Sequence, residues 1–278
     1  MKAKTMSGSD PAKKTVMILA NSSGGLYDFR NELVQKLLQE YHVVASLPDT
    51  VKTELLAKEG VIIEHTPINR RGMNPAQDLS LVHAYELLMK KYRPDLVLTY
   101  TIKPNVYGGF VCRKMGIPYL STITGLGSTF QKSGPLLFLV ERMYYEGLKK
   151  ASCVFFQNEE NRQIFRRGGL VSGRDRLVPG SGVNTKVWQA MPYPKDEVTN
   201  FLFVGRVMKE KGIEEFFRAA EVLHSEKILF SICGYCDEDY QGELDERASR
   251  GEILQLGFHP DMHEYYRDCS AVVMPTWH

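Results

Sequence analysis

Short apolar runs alternate with stretches of helical hydrophobic spacing along most of this chain, and that alternation restricts the fold more than any other feature. Apolar runs stand at Thr15–Ala20, His42–Ser46, Val61–His65, Asp95–Tyr100, Pro118–Thr122 and Cys153–Gln157. Helical patterns fall between them, around 26–38, 51–59, 76–91, 104–115 and 136–150. A strand followed by a helix and another strand, repeated, implies an α/β protein with a parallel, doubly wound sheet. Arg93-Pro94-Asp95 and Gly116-Ile117-Pro118 supply turn chemistry where a helix must yield to a strand. The alternation restarts after the polar, proline-rich stretch Pro192–Glu197, with strands at Asn200–Val204, Ile228–Cys233, Ile253–Leu256 and Ala271–Met274 and helices near 212–224, 240–250 and 261–268. The expected organisation is a flexible leader at 1–14, a Rossmann-like domain at 15–190 and a second, incomplete one at 191–278. In a Rossmann-type sheet the four strands of the second domain would lie in the order 3-2-1-4.

Charge excludes one class of function. Among 278 residues, 35 basic and 33 acidic side chains leave a formal net charge of +2, far too balanced for a general nucleic-acid binder. The five cysteines have no framework spacing, and no signal peptide or long apolar span appears, so the chain reads as reduced, cytoplasmic and not membrane-spanning. Cys233 and Cys236 have thioredoxin-like spacing, but Cys233 ends a strand, and the spacing is read as coincidence. Asp237-Glu238-Asp239 and the pair His259 and His263 are read as surface, and no metal site is inferred.

The stretch from Phe203 to Gly212 carries the strongest chemical signal. It joins an apolar strand to a helix marked by Ile213, Phe216, Phe217, Ala220 and Leu223. Arg206 and Lys211 stand five residues apart around that helix start, where free backbone N–H groups and the helix dipole favour an anion such as a diphosphate. Two basic residues in a glycine-flanked turn also suit plain solvated surface, and spacing alone leaves both readings open.

Gly205-Arg206 followed by Lys211-Gly212 resembles the donor-phosphate motif of family-4-type retaining glycosyltransferases, which have the two-domain GT-B fold. The resemblance implies that Arg206 and Lys211 grip the diphosphate of a nucleotide sugar, expected to be UDP-linked, and serve as the catalytic cations, with no metal and no separate cofactor. It implies further donor contacts from Gly205, from the loop with Gly24 and Gly25, and from Gly234 and Phe258 at the ends of later strands. Ile123-Thr124-Gly125-Leu126-Gly127-Ser128 resembles the family's sugar and acceptor loop, so Thr124, Gly125, Gly127 and Ser128 are expected on that side. Many members carry a His where this chain has Thr124. Leu177–Asn184 with Trp188 resembles the interdomain turn.

The implied activity is transfer of a sugar to a lipid-linked or polysaccharide acceptor in bacterial surface-glycan assembly. Helix 136–150, apolar with Lys149-Lys150 at its end, would allow peripheral contact with the inner face of the plasma membrane, though it equally suits packing on its own sheet. In the resembled family a Glu-x7-Glu segment follows the strand that here ends at Met274, so this 278-residue chain is expected to be inactive by itself. The alternatives are a sugar-nucleotide epimerase or hydrolase of the same fold, or an inactive nucleotide-binding fragment.

Overall fold

The structure is a computed structural model that describes residues 13–69, 74–126, 130, 134–171, 173–195, 197–236, 239–259 and 261–276. The chain divides into two compact units, Met1–Val183 and Asn184–His278, a division that falls ahead of position 190.

The first unit runs β1 (Thr15–Leu19), α1 (Ser23–Glu40), β2 (His42–Leu47), α2 (Thr53–Glu59), β3 (Ile62–His65), α3 (Pro75–Tyr92) and β4 (Leu96–Tyr100). A π-helical turn, Pro104–Gly108, then leads into α4 (Gly109–Met115), followed by β5 (Tyr119–Ile123), α5 (Pro135–Leu148), β6 (Cys153–Phe156), α6 (Glu159–Arg167) and β7 (Asp175–Leu177). The seven strands lie in the order β3-β2-β1-β4-β5-β6-β7, with every neighbouring pair parallel. Alternate residues of each strand feed opposite faces. Met17, Leu19 and Val97 enter one core with Tyr85, Tyr144 and Phe165, while Val16, Ile18 and Leu98 enter the other with Leu26 and Leu56.

Two features depart from the expected elements. The helix expected at 104–115 is split, because its first turn widens to π geometry against α5. The backbones approach closely there: a Cβ on Gly109 would lie 2.2 Å from the Gly147 carbonyl oxygen, and one on Gly147 would lie 2.7 Å from Val106 Cα. The second departure is the pair α6 and β7, which carry no long apolar run. Asn158 caps α6 by accepting from Asn161 N, and Glu159 and Glu160 occupy its first turn with Arg166 and Arg167 in its last. Strand β7 is held to that helix through Asp175, whose buried carboxylate accepts from Arg162 at 2.5 Å and lies 3.0 Å from Arg166 Nη2.

The second unit runs β8 (Thr199–Val204), a 3-10 turn at Lys209–Lys211, α7 (Ile213–Leu223), β9 (Ile228–Cys233), α8 (Gln241–Ser249), β10 (Leu254–Gly257), α9 (His263–Asp268) and β11 (Ala271–Val273). Its sheet is ordered β10-β9-β8-β11, the 3-2-1-4 arrangement anticipated from the strand pattern. Phe203, Phe216, Phe217 and Ile232 form its main core. Trp188 anchors the start of this unit by stacking flat on His263, ring centroids 3.8 Å apart, with Tyr266 edge-on at 6.0 Å. Asp261 explains why His263 stays put: it hydrogen-bonds the ring at 2.7 Å and raises the imidazole's pKa above its ordinary value.

Candidate functional site

In the second unit the residues expected on the donor side gather at the carboxyl edge of the sheet, where open α/β sheets bind ligands. Gly205 and Arg206 follow β8, Gly234 follows β9, and Phe258 follows β10. The loop after β8 is fastened rather than loose. Gly205 N donates to the Cys233 carbonyl at 3.0 Å and Val207 N to the Tyr235 carbonyl at 3.0 Å. Gly205 adopts φ +150°, and Gly234 packs so tightly behind it that an added Cβ would sit 1.7 Å from the Gly205 carbonyl oxygen. Gly234 therefore shapes the Arg206 loop through close approach. Lys211 closes the 3-10 turn, and Gly212, at φ +74°, passes the chain into α7.

Arg206 is exposed and Lys211 half-buried, so the α7 entrance carries two cationic side chains on a fixed backbone. The first-turn carboxylate of Glu214 is engaged elsewhere: it accepts from Tyr240 at 2.9 Å and pairs with Lys209 at 3.4 Å. The Tyr240 hydrogen bond, helped by Lys209, holds it below the usual carboxylate range. Tyr235 joins the site although it was not singled out in the sequence. It meets Phe258 edge to face, centroids 6.1 Å apart, and both rings are more than half exposed. Exposed aromatic faces on the same sheet edge as two cations suit a base attached to phosphates. The signal available in sequence was its position directly after Gly234 at a strand end.

Cys233 and Cys236 are free thiols whose pKa values are raised, chiefly by burial, which argues against a reactive dithiol. Among the described residues no cluster of three His, Cys, Asp or Glu side chains could hold a metal.

In the first unit, Gly24 and Gly25 lie just past the loop in which they were expected. They lie inside the first turn of α1, where a Cβ would meet nothing closer than 3.5 Å. Neither glycine is needed for backbone geometry, so their effect is to leave the helix entrance uncovered. Ser22 caps that entrance by accepting from Gly25 N at 3.2 Å. Asp49, after β2, accepts from Ser23 N at 3.2 Å and from the Ser23 hydroxyl, tying the α1 entrance to the neighbouring loop. Ser22, Gly24, Pro48 and Asp49 border an open recess of about 450 Å³. Thr124 and Gly125 are exposed and line a second recess together with Asn21 and Lys103. Gly127 and Ser128 lie outside the described residues.

Two parallel-sheet units with their candidate ligand residues at the carboxyl edges define a protein of the GT-B glycosyltransferase fold. A glycosyl transferase 4-like profile matches residues 16–158, and a glycosyl transferases group 1 profile matches residues 198–278. The chain belongs to the glycosyl transferase 4-like family.

It is 23% identical over 279 residues to the N,N'-diacetylbacillosaminyl-diphospho-undecaprenol alpha-1,3-N-acetylgalactosaminyltransferase of Campylobacter jejuni, covering 93% of this chain and 73% of that one. Among solved structures it is similar to HepE of Anabaena in complex with UDP and glucose, with a TM-score of 0.72, 16% identity and 94% and 74% of the two chains covered. It is also similar to sucrose-phosphate synthase of Thermosynechococcus elongatus, with a TM-score of 0.72, 16% identity and coverage of 96% and 76%. The epimerase or hydrolase alternative finds no support in these matches.

Proposed function

We propose that this chain carries the donor and acceptor surfaces of a retaining, metal-independent transferase that moves a sugar from UDP to a lipid-linked glycan in surface-polysaccharide assembly. One observation carries the reading: Arg206, Lys211 and the Tyr235–Phe258 pair share the carboxyl edge of one sheet. Cleavage of the bond between sugar and diphosphate develops negative charge on the leaving group. Cations held on a fastened loop stabilise that charge with little reorganisation as it forms. The UDP in HepE and the diphospho-undecaprenol in the Campylobacter enzyme's name support the donor and acceptor classes.

Calorimetry with UDP tests the donor side directly. The chain is expected to bind UDP, with a heat and affinity that do not change in excess EDTA, because arginine and lysine supply the compensating charge. Loss of binding in EDTA would overturn the metal-free reading, and absence of UDP binding would overturn the donor assignment itself.

Attachment to an anionic membrane face belongs to the same reading. No described helix is long and apolar enough to cross a membrane. Helix α5 instead buries Tyr144, Gly147 and Leu148 and leaves Leu136, Phe138 and Leu139 in its first half 44–72% exposed. Arg142 lies on the same helix, and Lys149 and Lys150 follow its last turn. Apolar insertion combined with a few basic residues gives reversible interfacial binding. The chain is expected to float with phosphatidylglycerol vesicles at low salt, to be released at high salt, and to lose most of that association in Phe138→Ser/Leu139→Ser. Equal flotation by the double variant would remove α5 as the contact.

A further inference from the structure

We infer that Tyr240 is a positioning residue for the anion site at the α7 entrance: its hydroxyl holds the Glu214 carboxylate aside, so that this carboxylate does not compete with the donor's phosphates. The role rests on the transferase reading above and deepens it, because Tyr240 acts on the ligand only through Glu214.

The competition follows from where Glu214 stands. It is the second residue of α7, just past Lys211 and Gly212. Helix α7 begins without a side-chain cap, and a hydrogen bond from Phe216 N to the Gly212 carbonyl at 3.1 Å opens its ladder. The amides of Ile213, Glu214 and Glu215 therefore have no acceptor within the helix. Those amides and the helix dipole favour any anion at the entrance, whether a ligand's phosphate or the helix's own carboxylate. A first-turn glutamate is a tethered rival of this kind, ionised at neutral pH. Glu215, the neighbouring acid, is exposed to water that screens it.

The backbone at this point is held on both sides. Gly212, at φ +74°, runs so close to Pro275 that an added Cβ would lie 2.1 Å from the Pro275 carbonyl oxygen. The Thr276 hydroxyl donates to the Glu210 carbonyl at 3.2 Å. With the main chain fixed, side-chain placement decides what charge the entrance presents.

Tyr240 supplies that placement. It stands at the start of α8, and its ring packs into the main core of the second unit, 6.3 Å from the Phe217 ring between centroids. Packing anchors the ring, so the hydroxyl that donates to Glu214 Oε1 at 2.9 Å is a fixed donor and the carboxylate is the movable partner. Lys209 approaches the other oxygen, Oε2, at 3.4 Å, but its side chain is 62% exposed, which makes it the weaker tie. Among the described residues, both carboxylate oxygens are engaged by side chains and neither accepts from an α7 amide.

A bond that only fastened α8 to α7 would act through stability, and its loss would be felt whatever the charge at position 214. UDP calorimetry on the 278-residue chain and three variants separates the two roles. Tyr240→Phe keeps the ring and removes the hydroxyl, and is expected to weaken UDP binding about two- to fivefold, the effect of one charge at a helix N-terminus. Glu214→Gln is expected to bind UDP no more weakly than the wild-type chain. Tyr240→Phe/Glu214→Gln lacks the same hydroxyl but has no charge to release, and is expected to regain wild-type affinity. The ratio of wild-type to Tyr240→Phe affinity should also fall between about 0.05 M and about 0.5 M salt, because a charge effect is screened and a packing effect is not.

Unchanged affinity in Tyr240→Phe, a weakening that the double variant keeps, or a ratio that salt leaves constant would each overturn the inference while UDP binding itself stands. A wild-type chain that does not bind UDP would overturn the transferase reading and this role with it, so the two failures are told apart in the same titrations.

Discussion

Replacing Arg206 and Lys211 together by alanine is expected to abolish UDP binding at concentrations that saturate the wild-type chain. Each side chain would contribute about 1.5–3 kcal/mol as a charge-assisted hydrogen bond to phosphate. The pair together would then be worth roughly 3–6 kcal/mol, a weakening of at least about 150-fold. The fold should survive, because neither side chain belongs to the core formed by Phe203, Phe216 and Phe217. Lys209→Ala is the control: its ammonium pairs with Glu214 in the same turn, and its loss should change UDP affinity little. Calorimetry on the two variants separates a specific clamp from general basicity. Weakening by Lys209→Ala of about half the double variant's free-energy loss, in proportion to the charge removed, would show that the turn acts only through its total charge.

The second large effect concerns stability. Asp175→Asn is expected to destabilise the first unit by about 2–4 kcal/mol. That falls toward the lower end of what breaking a buried ion pair costs, because Arg162 and Arg166 remain partly exposed and can be rehydrated. Burial works to raise the Asp175 pKa, but hydrogen bonds from Arg162 and Arg166 outweigh it and hold the carboxyl below its ordinary value. A lowered folded-state pKa contributes stability that is complete above the unfolded value near pH 4. That stability is lost as pH falls through the folded value. Urea unfolding followed by near-ultraviolet circular dichroism should therefore show a lower midpoint for the variant at neutral pH. The difference should shrink as the solution is acidified below about pH 4. A difference that stayed constant down to strongly acid pH would mean that charge is not its source.

Asp175 also marks where reading the residues in order stops being sufficient. Strand β7 has three residues, two of them exposed, and no apolar run to announce it. Its place beside β6 depends on a carboxylate meeting two arginines on the preceding helix. Helix α6 carried an Asn cap and charges of the right sign at each end, so its signal was present but short. The placement of the residues proposed to hold phosphate was far more legible. Glycines, an arginine and a lysine sit at the junction of a strand and a helix, and the chain has few ways to arrange such a junction.

The strand and helix alternation, the parallel sheets, the 3-2-1-4 order of the second unit, the positions of Gly205, Arg206 and Phe258 at strand ends and that of Lys211 just ahead of a helix were all determined by the sequence itself. Hydrophobic periodicity and turn chemistry are local properties, and parallel connectivity follows from them. Only the tertiary structure decided that Gly234 must lack a side chain to let the Gly205 loop pass and that Tyr235 pairs with Phe258. It alone brought Lys103 to Asp78, 25 residues away in sequence, beneath a recess shared with Asn21 and Thr124. These are contacts between segments whose own patterns carry no mark of the partner, and they are fixed when the strands take their places in the sheet.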